Sequence, residues 1–85
     1  MTLSDKDVGK LVRVSKPVEI PSYLPEGSLV LLFNTTDEEV EVKALGTMFI
    51  SGRPGHKTSA VILPRGLANV LFVSSAEALL SGEVL

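Results

Sequence analysis

Ser28-Leu29-Val30-Leu31-Leu32-Phe33-Asn34-Thr35-Thr36-Asp37-Glu38-Glu39-Val40-Glu41-Val42-Lys43-Ala44 is the stretch that decides the fold. Its opening run is apolar on both sides of an extended chain, the mark of a short strand covered on two faces and therefore the centre of the core. Asn34 to Asp37 then forms a polar turn, in which asparagine and threonine hydrogen-bond to nearby backbone. From Glu38 to Ala44 the pattern alternates: Val40, Val42 and Ala44 point inward, Glu39, Glu41 and Lys43 outward. The two segments are expected to pair as a hairpin.

Working outward, Gly46 interrupts the pattern and Met48-Phe49-Ile50 reads as a short strand before the loop Ser51 to Lys57. Thr58 to Leu63 is a β-branched, apolar strand closed by the turn Pro64-Arg65-Gly66, with Ala68 to Val73 as the next one. On the N-terminal side, Val12, Val14, Val18 and Ile20 fall on even positions while Arg13 and Glu19 point away, which is the period of a strand. Pro17 and Pro21 cannot donate to a ladder, so residues 1–21 are expected to form an extended arm or edge strand, with residues 22–85 as a single β domain. Two outcomes stay open for the tail. Ser74 and Glu77 have the spacing of a helix capping box, yet Glu83-Val84-Leu85 could pair as a last strand.

No long amphipathic helix is visible. The expected fold is all-β: a small antiparallel sandwich or barrel of about six or seven strands.

The totals narrow the function. At 85 residues the chain has room for one core, and 45% of it is hydrophobic, which is high for a domain whose size keeps much of its surface in water. Some apolar surface is expected to be covered by another chain. The longest apolar run, Leu29 to Phe33, is far below the roughly 20 residues of a membrane-spanning helix. Residues Met1 to Asp7 lack the pattern of a secretory signal, so synthesis in a cytoplasm is expected. With no cysteine and one histidine, disulfide and thiolate chemistry are absent and a zinc site is poorly supplied; no cofactor or metal is expected. Eight basic against ten acidic residues give a net charge of −2, the wrong sign for general phosphate neutralisation.

The motifs that suggest chemistry fail on context. Gly52-Arg53-Pro54-Gly55-His56-Lys57-Thr58 superficially matches a phosphate-binding loop, but His56 disrupts the spacing and a strand follows where a helix N-terminus is needed. His56 has no activated nucleophile to serve. Glu39 and Glu41 lie on the outward face of an alternating strand, where charge blocks edge pairing. An oligonucleotide-binding barrel would stack bases on exposed aromatics; here Phe33, Phe49 and Phe72 sit in apolar strand runs that explain them by burial, which leaves Tyr23 alone. Asp37, Glu38, Glu39 and Glu41 form an acidic stretch, and Arg53, His56, Lys57 and Arg65 a basic one, an arrangement suited to contacts between neighbours.

The region from Ser28 to about Leu80 resembles the small β-modules of accessory virion proteins of tailed phages, such as head decoration or cement proteins, with tail-fibre modules as a second case. The resemblance is carried by the apolar strand ending Phe33-Asn34, the polar turn, the alternating Glu38 to Ala44 strand, Gly46 and Gly52, and Ile62-Leu63-Pro64-Arg65-Gly66 leading into Val70 to Val73. Those modules often place a tryptophan after the last strand, where this chain has Ala76-Glu77-Ala78. The resemblance implies a non-enzymatic structural protein on the outside of a phage capsid. It would bind the major capsid protein or another virion protein as a homotrimer, stabilise the shell, and have no catalytic residues. The alternatives are a tail-fibre or baseplate module, or a small oligonucleotide-binding barrel. The expected contact residues are Leu3, Val12, Val14, Val18 and Ile20 of the arm, and Arg53, His56, Lys57 and Arg65. Membrane partners are not expected, and nucleic acid is disfavoured by the charge.

Overall fold

A computed structural model describes residues 1–85. Seven strands follow a single 3-10 turn at Asp5–Asp7: β1 (Leu11–Val14), β2 (Val18–Ile20), β3 (Leu29–Asn34), β4 (Val40–Ile50), β5 (Lys57–Ile62), β6 (Leu67–Ser74) and β7 (Glu77–Gly82). The all-β architecture expected from alternation is what the chain adopts. The strands form one curled sheet in the order β1-β3-β6-β7-β4-β2, with β5 on the other side of β4. The sheet curls into a half-barrel, with extents of 31 × 30 × 17 Å.

The sheet is mixed, whereas a purely antiparallel one was expected. β1 runs parallel to β3, β2 to β4, and β4 to β7; the antiparallel pairs are β3 with β6, β4 with β5, and β6 with β7. The predicted hairpin between Ser28–Phe33 and Glu38–Ala44 does not form, because β3 lies between β1 and β6, and β4 lies elsewhere in the sheet. The physical reason is the fate of the polar turn. Asn34 is fully buried, and its Nδ2 donates to the carbonyls of Glu38 (2.6 Å), Ile62 (3.2 Å) and Leu63 (3.0 Å). Its Oδ1 accepts from the Thr36 backbone N–H (2.9 Å) and hydroxyl (2.7 Å). The turn is therefore a corner tied to the end of β5, and it sends the chain away from β3. β5 and β6 likewise flank a tight turn, in which Gly66 N–H donates to Leu63 O, without pairing with each other.

Gly46 does not end a strand. β4 runs through it for 11 residues, and the glycine is needed there because a side chain would place its Cβ 2.5 Å from the Ala76 carbonyl, the same oxygen that accepts the Thr47 N–H. The tail resolves as strand: Ser74 and Glu77 face each other across a two-residue turn, with the Ser74 hydroxyl donating to the Glu77 carboxylate at 2.9 Å. The capping-box spacing is thus used by a hairpin. Beyond Gly82, Val84 bridges to Ile62 and Leu85 exchanges two backbone hydrogen bonds with Val61, so the C-terminus covers the free side of β5.

Residues 1–21 supply β1 and β2, one at each end of the strand order. Met1 to Leu3 lie along the outer side of β2, through Leu3 N–H to Glu19 O and Glu19 N–H to Met1 O. Inward side chains from every strand meet in one core, led by Phe72, Leu3, Ile20, Leu24, Leu32 and Met48.

Replacing Asn34 with alanine strands three carbonyls and the Thr36 N–H. We expect a loss of about 3 kcal/mol, at roughly 1–3 kcal/mol per unpaired buried group after partial relaxation, seen as a lower urea midpoint with an unchanged slope.

Candidate interaction surface

The fold has no cavity and no group of three or more histidine, cysteine, aspartate or glutamate side chains placed to hold a metal ion. What it presents is surface, and the two halves of the sheet present very different ones. Side chains at paired positions of neighbouring strands point the same way, so the outward face can be read row by row from the register. Arg13, Phe33 and Leu67 form one row; Leu11, Leu31, Asn69 and Ser81 the next; Leu29, Leu71, Leu79 and Phe49 the third. Glu77 and Thr47 begin a fourth, beside exposed Val73. Over β2, β4 and β5 the outward positions are mostly polar, Glu19, Glu41, Lys43 and Ser59, with half-buried Val61 beside Glu41 and exposed Leu45 as the apolar exceptions.

The apolar rows are open. Leu11 is 52% exposed, Leu29 42%, Leu67 40% and Leu71 36%, with Leu31, Phe33, Leu79 and Phe49 half-buried between them. Four strands about 4.8 Å apart and rows about 6.8 Å apart make a face roughly 20 Å on a side. That is comparable with the largest patches on ordinary monomers, about 300–600 Å², which often mark contact sites. Its polar members are partly satisfied among themselves: Asn69 Nδ2 donates to Ser81 Oγ at 3.3 Å, so covering them costs less than burying free amides.

This surface is only partly the one expected. Leu3, Val14, Val18 and Ile20 have their side chains inside the core of this chain, and Val12 is half-buried against that core. Alternation identified their buried side correctly; the cover comes from the chain's own strands. Arg53, His56 and Lys57 are exposed around the β4–β5 loop, where Arg53 Nη2 makes one long bond to Val84 O at 3.4 Å. Arg65, held at a φ of 56°, donates to Asp37 Oδ1 at 2.9 Å, so the acidic and basic stretches touch each other instead of standing apart. Phe33 and Phe49 belong to the outward face, and only Phe72 is fully buried. The outward rows were missed because Ser28–Phe33 was read as covered on both sides; its odd-numbered residues, Leu29, Leu31 and Phe33, are the ones left open.

No protein-family model matches the chain, and no curated protein matches it either.

Because Leu71 stands on the outward face and is 36% exposed, Leu71→Lys should lower the unfolding free energy by no more than about 1–2 kcal/mol. Phe72→Ala, one residue along and inside the core, should cost about 3–5 kcal/mol. Equilibrium denaturation of the two variants checks this contrast. Asp37→Asn should cost less than about 1 kcal/mol, since the side chains of the Arg65–Asp37 pair are 60% and 83% exposed.

Proposed function

We propose that the protein is a non-enzymatic assembly component that works by covering its outward apolar face with a neighbouring subunit, in the manner of a decoration or cement protein on the outside of a phage capsid. The single observation that carries the reading is the leucine-rich face of β1, β3, β6 and β7, a sheet surface patterned for burial with nothing from its own chain over it. A patch at the upper end of what ordinary monomers expose is often a contact site. The charged outward side of β2, β4 and β5 provides the complementary requirement, a surface that stays wetted once the other is covered.

The capsid setting comes from the resemblance of residues 28 to about 80 to accessory virion modules, and the face supplies a physical reason for such a protein to be held in a particle. The basic loop containing Arg53, His56 and Lys57 lies at one end of the sheet, where it is free to meet acidic residues of a shell protein.

The test is to purify particles of the phage whose genome encodes the chain and to look for the protein by mass spectrometry, then to add the purified chain to particles lacking it. Co-sedimentation with the particles and a raised temperature of genome release are expected, and the variant Leu29→Lys with Leu71→Lys should lose both. Absence of the protein from washed particles overturns the capsid reading.

A further inference from the structure

The β4–β5 loop is the one long stretch of this chain that the fold leaves bare. Every residue from Ser51 to Ser59 is exposed, and elsewhere no run of exposed residues exceeds three. The loop is held at its start, where the Ser51 N–H donates to Leu80 O at 2.8 Å and the Arg53 N–H to Ile50 O at 3.0 Å. Pro54, Gly55 and His56 then make no backbone hydrogen bond. Re-entry into the sheet is loose: Lys57 pairs with Met48 and Ser59 with Lys43, and the ladder shifts between them, so Thr58 stands at an irregularity. Drawing out the chain from Pro54 to Ser59 therefore breaks few hydrogen bonds and uncovers no core side chain.

We infer that this loop is a site of proteolytic processing, where an endoprotease with an acidic primary pocket, selective for lysine or arginine, cuts the folded chain between Lys57 and Thr58. Exposed loop tips of small and polar residues are where folded chains are nicked, and every other basic residue is withheld by the fold or by a proline. Lys16 and Arg53 precede Pro17 and Pro54, whose ring-substituted amides lack an N–H and fit such active sites poorly. Lys43 lies inside β4, paired with Ser59 on one side and Glu19 on the other. Arg13 pairs with Phe33 in β1, and the Lys10 carbonyl accepts the Leu31 N–H at 3.1 Å. Lys6 sits in the 3-10 turn, closed by Asp7 N–H to Ser4 O and by Ser4 N–H to the Asp7 carboxylate. Arg65 is fixed at a φ of 56° in a tight turn, with its side chain on Asp37 and Gly66 buried behind it. Of the eight basic residues, Lys57 alone offers an unsubstituted bond in a segment that can be drawn out.

The step is a hydrolysis: one water adds across the Lys57–Thr58 amide, leaving a carboxylate on Lys57 and an ammonium on Thr58. No piece is released, because the sheet interlocks across the cut. β5 and β7 are bonded to β4, and β6 to β3, so each strand after the cut pairs with one before it. Ile62, Val70, Phe72 and Leu80 share one core with Leu3, Ile20, Leu32 and Met48. The product is a two-chain protein with the same fold, in which the basic stretch Ser51 to Lys57 has become a tail freed from β5. This inference stands on the fold and is independent of the capsid setting.

The experiment treats the full native chain with trace trypsin and follows it by intact-mass spectrometry and on a sizing column. The expected first product elutes as one species of 9.0 kDa plus one water, and it separates into residues 1–57 and 58–85 only in denaturant. Lys57→Gln should lengthen the lifetime of the intact chain about tenfold or more at the same protease level, since cleavage follows local opening at this bond. Lys43→Gln should leave that lifetime unchanged. A first cut at any other basic residue overturns the inference, as does a Lys57→Gln chain lost as fast as the native one. Fragments that part without denaturant overturn the two-chain product.

Discussion

The fold turns on one buried amide. Asn34 has no exposed surface, and Ser28 is the only other polar residue in the core. A primary amide has two donors and one acceptor oxygen with two lone pairs; here the two N–H groups are shared among three carbonyls and both lone pairs are used. These partners come from the corner at Thr36 and Glu38 and from the end of β5 at Ile62 and Leu63, so one side chain at the end of β3 ties the corner that follows it to a strand nearly thirty residues further on. No leucine could do this, because the carbonyls it would face cannot be left unpaired in a low-dielectric interior. A serine would be too short to reach them all. The corner in turn decides that β3 and β4 separate, and their separation places an apolar surface and a charged one on the two outer sides of the same sheet.

That separation explains why the strands were legible and their partners were not. Alternation reports which side of a strand is buried: Val40 and Val42 point inward, and Glu41 and Lys43 outward, as the pattern states. It contains nothing about which strand lies alongside. Proximity in sequence is the usual substitute, and it fails where a side chain such as Asn34 diverts the turn. Of the pairings that do follow sequence order, β4 with β5 crosses the loop after Ser51 that the pattern marks, and β6 with β7 crosses a turn at Ser74 that the pattern leaves open between helix and strand. Gly46 was misread because a glycine within a strand signals either a stop or a close approach, and the Ala76 carbonyl 2.5 Å from its would-be Cβ is visible only in three dimensions. The parallel pairs are the least legible, since each joins strands separated by intervening structure.

The uncovered apolar face was half-legible for a related reason. An apolar excess in a small domain says that something is uncovered without saying where. Assigning the excess to the arm followed from its prolines, yet Leu3, Val18 and Ile20 fill the core, and Pro17 serves instead as a chain bend whose carbonyl accepts the N-terminal ammonium at 3.0 Å. The residues left over are those of Ser28–Phe33 and its neighbours that share the outward side. A strand apolar on both sides can be covered twice by its own chain, or once by itself and once by a partner, and the sequence is the same in either case.

The free edges of the sheet argue for the face as the route of association. An exposed strand edge recruits other edges without limit unless it is guarded. β1, at one end of the order, is only four residues long and carries Arg13 between Lys10 and Lys16, with Pro17 beyond; two such edges brought together would set cation against cation. At the other end Met1 to Leu3 lie along β2, with the Thr2 hydroxyl donating to Glu19 at 2.9 Å, and Val84 and Leu85 pair with the open side of β5. Short, basic or covered edges leave no long ladder to extend. The uncovered apolar area lies on a face, and a face stacked on another is used up once covered. A sheet with guarded edges and one bare face is therefore suited to a contact of fixed number and not to open-ended growth.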